Sequence, residues 1–151
     1  MRVLMVCLGN ICRSPMAEGI LRNKAHSSGL DFEIDSCGTG GWHVGESPDP
    51  RSQSKMVEKG LDISGLRARQ FKIADFEEFD LIYCMDGSNY EHVSAMASND
   101  EQTAKVKMIL NESSPGSDQN VPDPYYGGRD GFETVYQLLD EACDVIVNKY
   151  S

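Results

Sequence analysis

The stretch from Val3 to Glu18, reading V-L-M-V-C-L-G-N-I-C-R-S-P-M-A-E, constrains this chain more than any other. Val3 to Val6 is a short apolar run of the kind that forms a buried strand. Ser14-Pro15 reads as a helix start, because Ser caps and Pro suits the first helical position. Between them lies a tight turn carrying Gly9, Asn10, Cys12 and Arg13, with Cys7 at its base. A strand that feeds such a turn and then a helix aims several backbone N–H groups, and the positive end of a helix dipole, at one point. That point is an anion site, with Cys7 below it and Arg13 at its rim. The planar fork of Arg matches phosphate oxygens bidentately. N–H groups and an Arg favour the thiolate, the reactive form of a cysteine. The expectation is a phosphate cradle with a nucleophile in its floor. The blander reading is a buried structural cysteine next to a helix cap.

The chain has 151 residues, and 40% of them are hydrophobic. One domain spanning 1–151 is expected, with no linker and no internal repeat. Lys and Arg number 14 against 24 Asp and Glu, a net charge of -10. Such a chain repels nucleic acid and anionic membrane, and must attract a phosphorylated ligand locally. The N-terminal run leads straight into the motif, so no secretory leader is expected. No apolar stretch approaches membrane-spanning length. Five cysteines, an odd number, point to reduced thiols and a cytoplasmic location. They lack the paired spacing and His partners of a zinc site, so neither a metal nor another cofactor is expected.

Along the chain, strands and helices alternate. Met16–Ser28 is predicted as a helix, with Ala17, Ile20, Leu21 and Ala25 on one face and Gly29 ending it. Phe32–Cys37 alternates as a strand, and a Gly-rich loop over 38–41 follows. Asp49-Pro50 opens a helix that Gly60 closes. Phe79–Met85 reads as a buried strand. Ser88 to Glu91 reads as a capping box opening a helix to about Ser98. Lys105–Leu110 is predicted as a strand and 112–120 as a loop. A second capping box, Asp130 to Glu133, opens a long amphipathic helix carrying Phe132, Val135, Leu139, Cys143 and Ile146. Strands alternating with helices imply a parallel sheet with both faces covered, and ligands bound beyond the carboxyl ends of its strands.

C-L-G-N-I-C-R-S-P resembles the signature loop of the low-molecular-weight protein tyrosine phosphatases. It is not a nucleotide P-loop, because no Gly-Lys-Ser/Thr follows. The resemblance runs nearly end to end, through V-P-D-P-Y-Y-G-G, C-M-D-G-S-N and F-E-T-V-Y. It implies an α/β fold of three layers, a central four-stranded parallel sheet ordered 2-1-3-4 flanked by helices. It implies hydrolysis of phosphotyrosine through a phosphocysteine intermediate. Cys7 matches the nucleophile, Arg13 the phosphate-binding arginine and Asp123 the general acid. Leu8, Gly9, Asn10, Ile11 and Cys12 belong to the binding loop, and Ser14 matches a hydroxyl donor to the thiolate. Asn10 matches a loop-stiffening side chain and Ser36 its hydrogen-bonding partner. Trp42 matches one aromatic wall of the cleft, and Tyr125 and Tyr126 the other. Two aromatic walls form a slot for a phenyl ring, too deep for phosphoserine. Leu66 stands where the family commonly has His, which concerns local loop support. His43, next to Trp42, falls near the pocket rim, and Cys37 replaces a common Ala.

The implied partners are tyrosine-phosphorylated proteins, a tyrosine kinase among the candidate substrates, with inorganic phosphate as product. Only four residues separate Cys12 from Cys7, and Cys12 is expected to trap an oxidised Cys7 as a disulfide. Two rival functions share parts of this pattern. A thioredoxin-coupled arsenate reductase of the same fold needs a thiol relay; Cys84 suits its first position, but Glu91 stands where the next thiol is needed. A non-catalytic phosphotyrosine-binding module has no need of an acid such as Asp123.

Overall fold

The computed structural model describes residues 1–126 and 129–151, with Tyr126 and Arg129 as backbone only. The apolar run at the N-terminus forms strand β1 (Arg2–Cys7). Helix α1 (Arg13–Ser27) returns the chain to strand β2 (Glu33–Gly38). Helix α2 (Pro50–Glu58) and the single turn α3 (Asp75–Glu78) lead to strand β3 (Leu81–Cys84). Helices α4 (Gly87–Met96) and α5 (Asp100–Lys105) precede strand β4 (Val106–Met108). A turn of helix, α6 (Leu110–Ser113), a 3-10 turn (Pro124–Tyr126) and the long helix α7 (Arg129–Lys149) complete the chain.

All pairings in the sheet are parallel, and its order is β2-β1-β3-β4, as the resemblance implied. Side chains of β1 alternate between two cores, as the period of two along a strand requires. Val3, Met5 and Cys7 face a core built with Ile20, Leu21, Val135, Leu139 and Ile146 of α1 and α7. Leu4 and Val6 face a second core holding Phe71, Phe76, Phe79 and Val93. Both faces being covered explains why β1 reads as a continuous apolar run. Burying each of these large side chains contributes about 1.5–3 kcal/mol, which fixes the strand ends that carry the site. Among the described residues no helix is long and apolar enough to cross a membrane.

Several element starts differ from the sequence expectations. Helix α1 begins at Arg13, and its cap position, Cys12, makes no side-chain cap bond. Ser14 is therefore inside the helix rather than its cap, and Pro15 is its third residue. Strand β2 runs one residue past Cys37 and so takes Gly38 out of the loop. Asp86, not Ser88, caps α4, accepting from the Asn89 amide at 2.8 Å. Helix α7 starts at Arg129, so Asp130 lies in its first turn, and Glu133 instead pairs with Lys55 and Lys59 of the α2 region. Asn99 caps the unexpected α5, which takes Lys105 from the predicted strand. Asp49 does cap α2, accepting from the Arg51 amide at 2.8 Å, with Pro50 first in the helix.

Candidate active site

The carboxyl ends of β1, β2 and β3 converge. Cys7 ends β1, Gly38 ends β2, and Asp86 follows β3. The turn over 8–12 curls above Cys7, and two backbone bonds hold its start to the segment just after β2: Thr39 N–H to the Cys7 carbonyl and Gly40 N–H to that of Leu8, both 2.9 Å. The contact is close enough to require glycine at 38. A Cβ there would stand 2.7 Å from the Leu8 carbonyl oxygen and 3.1 Å from the Asn10 nitrogen.

Asn10 has φ 58°, the left-handed conformation that Asn tolerates better than most residues. Its side chain bonds in three directions. Nδ2 donates to Ser14 Oγ at 2.7 Å and to Ser36 Oγ at 3.0 Å, and Oδ1 accepts from the Arg69 amide at 3.0 Å. Its backbone N–H points at Cys7 Sγ, 3.3 Å away, and Ser14 Oγ is 3.0 Å from the same sulfur. Ser36 Oγ in turn donates to Glu18 Oε1 at 2.7 Å, and Arg22 pairs with the same carboxylate. A hydrogen-bonded chain thus runs from the buried Glu18 through Ser36, Asn10 and Ser14 to Cys7. Asn10 and Ser14 lie buried under the loop. Among the described residues, the amides of Leu8, Gly9, Ile11 and Cys12 donate to no protein group. They remain available to an anion.

Arg13 is almost wholly buried. Its Nη1 donates to Asp86 Oδ2 at 2.7 Å and to the Val121 carbonyl at 3.0 Å, and its Nη2 is 3.8 Å from Asp123 Oδ2. Burial pulls the guanidinium pKa down, but the Cys7 sulfur, Asp86 and Asp123 outweigh it and hold the charge firmly in place. Burial pushes the Cys12 thiol up to about 12, against a lowering by the Ser52 hydroxyl, which makes no regular hydrogen bond among the described residues. Asp123 Oδ1 accepts from the Tyr125 amide at 3.0 Å, an Asx turn that fixes the carboxylate in the segment after Pro122.

These groups enclose a cleft of about 290 Å³ lined by Leu8, Ile11, Trp42, His43 and Tyr125 above Cys7, Arg13 and Asp123, with Gly9 and Cys12 completing it. Trp42 is highly exposed, and its ring lies on Gly40, where any Cβ would overlap it. His43 lines the cleft as its position beside Trp42 suggested, with Nδ1 3.0 Å from Glu46 Oε2. Tyr126, expected on the second aromatic wall, has its side chain outside the described residues. Among the described residues no group of three or more His, Cys, Asp or Glu side chains could hold a metal ion.

A family model described as low molecular weight phosphotyrosine protein phosphatase matches residues 2–150. The chain belongs to this family. It is a phosphatase, as the names of its relatives agree. The low molecular weight phosphotyrosine protein phosphatase of Schizosaccharomyces pombe is 47% identical over 143 residues, 92% of this chain and 90% of that protein. The solved protein tyrosine phosphatase of Entamoeba histolytica superimposes with a TM-score of 0.93 at 33% identity, covering 99% of this chain and 96% of that one. A drosophila arginine phosphatase superimposes with a TM-score of 0.92 at 34% identity, covering 100% and 98%.

Two groups of this phosphatase's cleft region escaped the sequence reading. Asp86, within C-M-D-G-S-N, follows β3 at the same sheet end as Cys7 and holds Arg13, a contact across 73 residues that no local pattern signals. Arg51 was invisible because its contacts span 74 residues, to Tyr125.

Proposed function

We propose that this phosphatase hydrolyses phosphotyrosine in proteins through a phosphocysteine on Cys7. The observation that carries the reading is the stacking of roles in one cleft: Cys7 at the floor, Arg13 and Asp123 beside it, apolar walls above. The unspent amides of the loop and Arg13 receive the phosphoryl oxygens, and their charge stabilisation is the largest contribution in phosphoryl transfer. The Cys7 thiolate attacks phosphorus, the bond from phosphorus to the tyrosine oxygen breaks, and Asp123 gives its proton to that oxygen. Ser14 and the Asn10 N–H stabilise the negative sulfur, both as reactant and as leaving group. In the second half, Asp123 as carboxylate takes a proton from water. The water oxygen bonds to phosphorus, the S–P bond breaks, and inorganic phosphate leaves.

Leu8, Ile11, Trp42 and Tyr125 favour an uncharged ring in the slot. The structural kinship with an arginine phosphatase makes phosphoarginine the second reading; its guanidinium would meet those apolar walls with Asp123 as the only carboxylate among the described residues that line the cleft. An arsenate-reducing relay is disfavoured, because Cys84 lies in the core on the opposite sheet face from Cys7. A non-catalytic binder is disfavoured by the Asp123 carboxyl. Phosphate release from matched peptides carrying phosphotyrosine, phosphoarginine or phosphoserine tests the reading. Preference for phosphotyrosine is expected; preference for phosphoarginine, or no release at all, overturns it.

Five free, buried cysteines support a reducing cytoplasmic setting. Peroxide would convert the Cys7 thiolate to sulfenic acid, and the Cys12 thiol would displace water from it to form a disulfide. Activity recovered with dithiothreitol after peroxide should be lower in Cys12→Ser than in the unaltered protein; equal recovery would remove Cys12 from this role.

A further inference from the structure

Arg51 is the second residue of α2 and does not line the cleft. Its Nε and Nη2 hold both oxygens of Asp49, at 3.0 and 2.9 Å. Its Nη1 donates to the Tyr125 carbonyl at 3.0 Å. The guanidinium also lies over two rings, 5.3 Å from the Tyr125 centroid and 5.0 Å from that of Phe132. The hydrogen bond from Arg51 is the main cause holding the Asp49 carboxyl below its usual range, so the pair is charged at neutral pH. Asp49 is itself tied to the phosphate loop, its N–H donating to the Ile11 carbonyl at 2.8 Å.

These bonds form one continuous path. It starts at the Ile11 carbonyl of the cradle, passes through Asp49 and Arg51, and ends at the Tyr125 carbonyl. The amide of the same Tyr125 holds Asp123 Oδ1. We infer that Arg51 is a positioning residue for the general acid, coupling the acid segment to the phosphate loop across the cleft. The inference rests on the assignment of Asp123 proposed above. The planar fork is what the role needs: one guanidinium meets a carboxylate on one edge, a carbonyl on another and aromatic rings on its faces. A lysine ammonium cannot do all three.

The acid matters only where the leaving oxygen needs a proton, so a displaced acid harms poor leaving groups selectively. Arg51 touches neither Cys7 nor the loop amides, so binding of inorganic phosphate should not depend on it. The test compares Arg51→Met, Arg51→Lys and Asp123→Asn over a series of substituted phenyl phosphates. Arg51→Met should lower kcat/KM for phenyl phosphate about tenfold while p-nitrophenyl phosphate stays within about twofold, with Arg51→Lys intermediate. Inhibition by inorganic phosphate should be unchanged. A loss equal for all leaving groups, no loss, or an equal weakening of phosphate inhibition would overturn the inference. If Arg51→Met fails to fold, Arg51→Lys alone decides by the same criterion. Should Asp123→Asn show no leaving-group dependence, the acid assignment fails and takes this inference with it. Dependence in Asp123→Asn but in neither Arg51 variant sinks the coupling role alone.

Discussion

The phosphate loop and the acid segment face each other across one cleft and are built on opposite principles. Around Cys7, the side chains of Asn10, Arg13, Ser14 and Ser36 are buried and multiply bonded: Asn10 makes three side-chain bonds, and Arg13 is held by Asp86 and the Val121 carbonyl. The Arg13 side chain is 3% exposed, against 34% for Asp123. Among the described residues, Asp123 accepts one hydrogen bond, from the Tyr125 amide, and its other oxygen is 3.8 Å from Arg13. The difference fits the work proposed above for each side. The cradle stabilises negative charge at every stage, so rigid preorganised donors serve it throughout. The acid must give up a proton and take one back, and many donors on a carboxyl favour its charged form alone. A lightly bonded carboxyl on a segment tethered through its backbone suits that alternation.

Breaking the nucleophile should have the largest effect. Cys7→Ser should lower turnover by at least about 10⁴-fold, because a serine hydroxyl with no adjacent base is a poor nucleophile. Phosphate binding should survive, since amides and Arg13 supply it. Calorimetry with inorganic phosphate or vanadate, beside steady-state kinetics, checks both halves. Hydrolysis above trace level by the pure variant would end the covalent mechanism.

Deforming the cradle should come next. In Gly38→Ala the new methyl must push back the Leu8 carbonyl and Asn10 backbone. We expect a loss of about 10²-fold in kcat/KM, because small misplacements of a positioned group cost that much. The loss should be the same for good and poor leaving groups and should be accompanied by weaker phosphate inhibition. Asp123→Asn should behave in the opposite way. It should cost about 10²-fold or more with phosphotyrosine, much less with p-nitrophenyl phosphate, and leave phosphate inhibition intact. If the two variants gave the same leaving-group dependence, the division of labour between the two sides would be wrong.

The cradle side was far more legible in the sequence than its partner. Cys7 to Ser14 is one contiguous string, so strand, turn and helix could be read together with their chemistry. Even there, only the folded structure separates the alternatives for Ser14: its oxygen is spent on Cys7 and Asn10, and the helix starts before it. Asp123 was found only because its flanking V-P-D-P-Y-Y string resembled the family. The Asx turn at Asp123 is local, but the Arg51 bond to the Tyr125 carbonyl comes from α2, far away in sequence, and no local pattern announces it. Capping was misread for a similar reason. In C-M-D-G-S-N, Asp86, Ser88 and Asn89 can all cap, and the turn directly after β3 selects Asp86. Helix α5 was missed because D-E-Q-T-A-K has no apolar stripe; of its six residues only Gln102 is buried, and the Asn99 cap carries the signal.

The smallest expected effect concerns the far end of the chain that braces the cradle. Glu18 is buried, and burial raises its pKa above the ordinary 4.5, although Ser36 and Arg22 act in the opposite direction. The folded state therefore binds this proton more tightly than the unfolded state does. Its contribution to stability is fully present below the ordinary value and is lost as pH rises through the folded value. Glu18→Gln keeps an oxygen for the Ser36 hydroxyl but cannot ionise. Melting temperatures of both proteins across this window should show the unaltered protein losing ground to Glu18→Gln as pH rises, by a few degrees at most. Activity should change little, because the Ser36 to Asn10 bond that braces the loop is kept. A difference that ran the other way with pH would mean that Arg22 outweighs burial and that the cradle is braced by a fully charged carboxylate. A large loss of activity in Glu18→Gln at unchanged melting temperature would instead show that the charge itself reaches Cys7 along the chain, and that the contrast between a fixed cradle and a titrating acid had been drawn too sharply.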